Sequence, residues 1–325
     1  MSSLSNEVLW IFSLKNPMYL PSYIVSGIMP ANYLKIQKII FLEDHDPSYI
    51  LNKHNPKLII IGKGFHFNLK NLINEARKRN IKVISIFDDW HFVETEINKN
   101  QFILNTYMAK HSNKIVVKTS AAAEIIKKNT GIVSNIVSDC IRFNSLKPIQ
   151  KINYPFKIAW FGMHTNHDTI RLAFNEIKLT NKMCDINIIT NNLNQLENSL
   201  SEYKDIPNIN YKLTQWSKDL SNIIEDCDII IIPYINDHIR YVKSYNRILD
   251  SLNMGRFIIM SKAKQFDRFK KFCYQGNIGD GINWLAENEK SVFEMINKGQ
   301  SYVKKNYNLE KISKKWMQII KQTID

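Results

Sequence analysis

The chain has 325 residues, 44% of them hydrophobic, and carries 44 Lys and Arg against 30 Asp and Glu, a formal net charge of +14. That length supports two α/β domains with real cores, and the positive balance calls for an anionic partner such as a nucleotide, a phospholipid surface or nucleic acid. No run of roughly eighteen apolar residues is present, so no transmembrane helix is expected. Taken in order, the first half alternates strands and helices. Strands are predicted at Val8–Leu14, Lys38–Leu42, Leu58–Ile61, Lys82–Phe87 and Lys114–Val117. After the first strand, NPMYLPSYIVSGIMPANYL holds three prolines and one glycine before a short helix near Ala31–Ile36. Amphipathic spacing predicts helices over Asn68–Arg79 and Phe102–Lys110, and Ser120 caps another that runs to about Asn129.

The polar, Pro-containing segment SLKPIQKINYP interrupts the pattern, and the predicted domains are residues 1–150 and 151–325. In the second half, strands are predicted at Phe156–Phe161, Asp185–Thr190, Ile209–Leu213, Asp228–Ile232 and Phe257–Met260. Helices follow at His167–Lys178, from Tyr245 with Ser244 as its cap, and then at Phe266–Phe272, Gly281–Glu287, Glu289–Asn306 and Leu309–Gln322. The last helix is able to return to the first domain. Alternating strands and helices imply right-handed βαβ units, so the predicted fold class is α/β, with two Rossmann-like parallel-sheet domains facing across a cleft. In such sheets ligands bind beyond the carboxyl ends of the strands.

The candidate residues stand at those ends. Lys243, Ser244, Asn246 and Arg247 crowd the start of the helix after DIIIIP. Unbonded backbone N–H groups and the positive end of the helix dipole favour an anion there, and two cations beside them point to a phosphate. Gly162, His164, Thr165 and Asn166 follow the first strand of the second half. There a glycine lets backbone approach a ligand and the other three offer donors. Asp88, Asp89 and His91 follow the fourth strand, where a carboxylate or imidazole can take a proton from an attacking hydroxyl. His91 is the preferred base and Asp89 the second. Ser22 and Tyr23 are placed to line an acceptor site. Gly62-Lys63-Gly64 reads as a solvent loop, and His238 and Arg240 reach toward a sugar or phosphate or stay solvated.

The four cysteines, Cys140, Cys184, Cys227 and Cys273, include no CxxC pair. A structural zinc site is therefore not expected, and sparse cysteine use fits a reducing compartment. Glu7 precedes the first apolar run and Lys15 follows it, which is not a secretory pattern. The expected location is cytoplasmic, at rest on the inner face of the cytoplasmic membrane through its charge. Basic residues are spread along the chain with no nucleic-acid-binding motif, so nucleic acid is not an expected partner. HExxH, P-loop and GxSxG patterns are absent, which removes support for protease, NTPase and α/β-hydrolase readings.

The WFG turn that opens the second half, DIIIIP followed by KSYNRILDSLNMGRFII, and IVVKTSAAAEIIKK together resemble GT-B glycosyltransferases. The similarity is to the family-4-like bacterial enzymes that build surface polysaccharides. The resemblance implies transfer of a sugar from a nucleotide-sugar donor to an acceptor hydroxyl on a glycan or lipid-linked glycan, with no cofactor and no bound metal. It also implies a ribose contact through Asp250, the second of two acidic positions spaced by seven. At the first of them this chain has Lys243, which departs from the family and removes a donor-sugar contact there. A nucleotide-sugar epimerase or another group transferase on the same fold, and a basic nucleic-acid-binding protein, are the competing expectations.

Overall fold

The computed structural model describes residues 4–16, 18, 20–88, 90 and 92–325. Contacts divide it into two units. One unit holds the chain to Cys140 together with Asp237–Ser244 and Tyr307–Asp325; the other holds Ile141–Asn236 and Tyr245–Asn306. The terminal helix Leu309–Ile324 therefore belongs with the first unit.

The first unit is built on a six-stranded sheet in the order β2-β1-β3-β4-β5-β6. Its strands are β1 Val8–Phe12, β2 Gln37–Ile40, β3 Leu58–Ile61, β4 Lys82–Phe87, β5 Lys114–Val117 and β6 Asn135–Ile136. Every pairing is parallel; Leu58 lies opposite Lys82, for example, and Val8 opposite Leu58. Unbroken apolar runs such as LIII suit strands covered on both faces. One face packs on Leu51, Leu72, Met108 and Ile126 from four helices. The other face packs on Tyr23, Ala31, Ile312 and Trp316. Trp316 and Trp10, both 0% exposed, meet edge to face at 4.9 Å and fasten the terminal helix to this sheet.

The second unit has the sheet order β12-β11-β10-β7-β8-β9, again all parallel. Its strands are β7 Phe156–Phe161, β8 Cys184–Thr190, β9 Ile209–Gln215, β10 Ile229–Ile232, β11 Phe257–Met260 and β12 Tyr274–Gln275. Both sheets reverse direction of growth once, at β1/β3 in the first unit and at β7/β10 in the second, and such switch points open ligand crevices at the strand ends.

Several local expectations are corrected. The helix expected near Ala31 starts instead at Pro21. Pro21–Tyr23, a π turn at Ile24–Ile28 and Met29–Tyr33 run on continuously, and the Met29 N–H reaches back to Ile24 O. Widening the turn ahead of Pro30 relieves the clash its ring would make with the carbonyl four residues back. The helix Pro47–His54, which the sequence reading omits, is capped by Asp46, whose carboxylate accepts from the Ser48 and Tyr49 N–H groups. The cap expected from Ser120 comes from Thr119, which accepts from Ala122 N. Lys264–Phe269 is a 3₁₀ helix where an α-helix is expected. The two-residue edge strands β6 and β12 carry too little pattern to be read in advance.

Candidate functional site

In the first unit, the residue that follows each of the central strands comes to the carboxyl edge of the sheet. After β1 and β3, at the switch point, Ser13 Oγ donates to Lys63 O at 2.7 Å and Tyr23 Oη donates to the same carbonyl at 2.5 Å. Tyr23 is 2% exposed with its ring edge on Phe12, and burial pushes its hydroxyl pKa far up. The Gly62–Gly64 loop is not the solvent loop expected. The Lys63 side chain is 17% exposed and its Nζ lies 3.8 Å from Asp88 Oδ1. Burial lowers the Lys63 pKa against the pull of Asp88, and Lys243 adds repulsion. Burial also opposes ionisation of Asp88, yet Lys63, Lys118, the Ser22 hydroxyl and Lys243 outweigh it and hold the carboxyl below its usual range.

Next to Asp88 sits a second buried pair. Lys118 follows β5 and Asp139 follows β6; both side chains are 1% exposed, with Nζ 3.6 Å from Oδ1. Ser26 Oγ donates to the same oxygen at 2.9 Å. Burial pushes the Asp139 carboxyl up despite Lys118, Ser244 and Ser26. Ser244 is therefore not the helix cap expected; its hydroxyl turns to Asp139. The Asp237–Ser244 segment is anchored in this unit by Val242, which packs with the core and whose carbonyl accepts from Thr119 Oγ1. Arg240 in that segment pairs with Asp237. Asp89 and His91, the other candidate bases, lie outside the described residues, as does the side chain of His238.

In the second unit, Gly162 follows β7 at the switch point beside β10. The helix Asn246–Asn253 has Tyr245 at its N-cap, with no side-chain cap bond. Lys243 and Ser244 thus precede the helix and do not sit in its first turn, which starts at Asn246. The Arg247 guanidinium lies over the Trp160 ring, 6.0 Å from its centroid. A Cβ built on Gly162 would stand 2.9 Å from the Trp160 ring and 3.6 Å from Arg247 Nη1, so glycine is what lets the ring and this loop approach. Asn246 Oδ1 is buried with no hydrogen-bond partner. His164 donates its backbone N–H to Asn191 Oδ1 at 3.1 Å and holds Nδ1 3.0 Å from the same oxygen. Thr165 is exposed, and Asn166 is bonded back to the Met163 carbonyl.

Asp250 is 2% exposed. Its carboxylate accepts from the Arg142 backbone N–H at 3.1 Å and from Arg142 Nη2 at 3.2 Å. Sequence reasoning missed Arg142, Lys118 and Asp139. For Lys118 a partial signal exists: a charged residue directly after the apolar run Ile115–Val117 has to find a partner at the strand ends, though nothing in the sequence names that partner. Among the described residues, no three His, Cys, Asp or Glu are grouped so as to hold a metal ion. No helix among them is long and apolar enough to cross a membrane.

Two Rossmann-like parallel-sheet units of this topology are the fold of GT-B glycosyltransferases. Among solved structures, the chain is similar to Anabaena Alr3699/HepE in complex with UDP, at 7% identity and TM-score 0.74, covering 97% of this chain and 100% of that one. It is also similar to a point mutant of S. aureus TarM in complex with Fondaparinux, alpha-GlcNAc-glycerol and UDP, at 15% identity and TM-score 0.63 over 84% of this chain and 57% of that one. A putative UDP-N-acetylglucosamine 2-epimerase from Listeria monocytogenes aligns at 8% identity and TM-score 0.58, over 97% and 95%. No protein-family model matches the sequence. No curated protein matches it either.

Proposed function

We propose that this protein is a glycosyltransferase that moves a sugar from a nucleotide-sugar donor to a hydroxyl on a glycan or lipid-linked glycan. The observation that carries the reading is the arrangement at the β7/β10 switch point: Gly162, the Trp160 ring and Arg247 stand at the first turn of a helix without a side-chain cap. Such a turn presents N–H donors and a positive dipole end to an anion, and the guanidinium adds a planar fork suited to phosphate oxygens. Similarity to a UDP complex supports a nucleoside diphosphate as that anion.

On this reading the second unit takes the donor and the first takes the acceptor. Arg247 and the helix N-terminus stabilise charge on the departing phosphate, so the step calls for no metal. Asn246 Oδ1 is an acceptor for a donor hydroxyl. Asp250, engaged with Arg142, fixes the chain after Ile141. Asp88 is ionised at neutral pH, but Lys63 and Lys118 weaken it as a base. It orients Lys63 and Ser22, and proton removal falls to His91 or Asp89.

A thermal-shift panel with UDP, GDP, CDP, CMP and dTDP tests the proposal, because a ligand that binds only the folded chain raises its melting temperature. A shift with one nucleoside diphosphate is expected; no shift with any of the five removes the reading. The fold shared with the epimerase supports a second reading, nucleotide-sugar epimerisation. Product analysis with nucleotide sugar alone separates them, since an epimerase needs no acceptor.

A further inference from the structure

The helices Asn68–Lys78 and Lys99–His111 bury Leu69, Leu72, Leu104 and Met108 against the first sheet, yet a second apolar set faces outward. Phe65 is 38% exposed, Phe67 40% and Ile103 40%. Scattered exposed apolar residues are ordinary on a soluble surface. These are not scattered: they share one face with lysines. Lys63 Nζ lies 5.5 Å from the Phe65 ring centre, and Lys70 Nζ lies 4.6 Å from that of Phe67 and 5.2 Å from that of Tyr107. Ile103 and Tyr107 stand one helical turn apart, with exposed Lys99 and Lys110 on either side. Gln101 Nε2 donates to Gly64 O at 2.5 Å and ties the first turn of that helix to the Phe65 loop.

The charge around this face is mostly positive. Residues 63–79 and 99–111 hold seven Lys and Arg and a single acid, Glu75. The Glu75 carboxylate is already 2.8 Å from Arg79. Glu43 and Asp44, exposed on the loop gripped by Asn68, mark its edge. Aromatic tips able to enter the boundary between headgroups and acyl chains, flanked by Lys70, Lys99 and Lys110, match an anionic bilayer surface.

We infer that this face docks on an anionic lipid leaflet through Phe65, Phe67 and Ile103 with Lys70 and Lys99. The inference deepens the proposed reaction by assigning the acceptor to the membrane-borne class. Docking there brings the Lys63–Asp88 edge of the first sheet beside the headgroups, because Lys63 and Phe65 belong to one short loop.

Co-sedimentation of the full chain with vesicles tests it, using phosphatidylcholine alone and equal parts phosphatidylcholine and phosphatidylglycerol. Binding to the anionic vesicles only, weakened by salt, is expected. The double variant Phe65→Ser/Phe67→Ser and the double variant Lys70→Glu/Lys99→Glu should each lower partitioning about tenfold or more. The variant Val133→Ser/Leu179→Ser alters residues that are 74% and 82% exposed elsewhere and should leave it unchanged. Unchanged binding in both patch variants, or no binding by the unaltered chain, overturns the inference. Loss on lysine reversal with no effect of the phenylalanine changes assigns the face to a soluble polyanion and equally overturns the lipid assignment. The nucleotide thermal shift, read on the same variants, confirms folding and reports on the donor site separately. Its absence alongside patch-dependent vesicle binding would sink the donor reading alone.

Discussion

Replacing Arg247 by alanine bears most directly on the proposed donor site. The side chain has a ring contact within its own unit and a proposed contact to phosphate. Its guanidinium lies 6.0 Å from the Trp160 ring centre, a cation–π contact worth about 0.5–1 kcal/mol to the unit itself. A guanidinium fork at the first turn of this helix suits a diphosphate, and a hydrogen bond to a charged group contributes about 1.5–3 kcal/mol. Arg247→Ala should therefore weaken nucleoside diphosphate affinity by roughly 10- to 150-fold. At a ligand concentration of about one hundred times Kd, the unaltered chain gains about 2.7 kcal/mol of stability. A hundredfold weaker variant at the same concentration gains roughly 0.4 kcal/mol, and its thermal shift nearly vanishes. Arg247→Lys keeps the charge and loses the fork, so it should fall in between. Titration calorimetry with the diphosphate that shifts the melting temperature measures these differences directly. Equal affinity in the alanine variant and the unaltered chain would refute the assignment of the anion to this helix.

Lys118→Met leaves Asp139, 1% exposed, without its cation, and should cost about 3–5 kcal/mol at pH 8. The cost should shrink at pH 5. The folded Asp139 carboxyl lies above its unfolded value, so its contribution to stability is full below the ordinary carboxylate range and is lost as pH rises from that range through the raised folded pKa. Urea melts at the two pH values check this, and a loss independent of pH contradicts it. Gly255→Ala forces alanine to φ 62° and puts a Cβ 2.7 Å from Pro148 Cα. The left-handed conformation costs about 1 kcal/mol and the backbone clash adds to it, so a loss of about 2 kcal/mol or more is expected in the same melts. Burial pushes the Cys184 and Cys273 thiols up to about 12 and Cys227 to about 11. Iodoacetamide at pH 8 should thus leave these three unlabelled in the native chain and label them after unfolding, as mass spectrometry would show.

How far the chain could be read in advance follows from what buries each segment. Strands covered on both faces are apolar over most of their length, and Leu58–Ile61, Lys82–Phe87, Lys114–Val117, Phe156–Phe161 and Phe257–Met260 carry that signal without help from tertiary context. Pro21–Tyr33 could not be read the same way. Its two prolines signal a break, and only packing of Tyr23, Val25 and Ala31 against the sheet makes a widened helix the cheaper solution. The site divides along the same line. The positions of Gly162, after a strand, and Arg247, at a helix start, were legible from the strand and helix pattern. Lys63 was not, because a lysine between two glycines looks solvated until Asp88 is brought next to it by a strand twenty residues further on. The same holds for Lys118 and Asp139, whose pairing depends on β5 and β6 lying side by side. Each of these charges is tolerated only because another strand supplies its counter-charge, so their identities are constrained jointly. A change at Lys63, Asp88, Lys118 or Asp139 should therefore be read first as a change to the pair it belongs to, and double-mutant cycles across each pair are what assign any loss of activity to chemistry and not to folding.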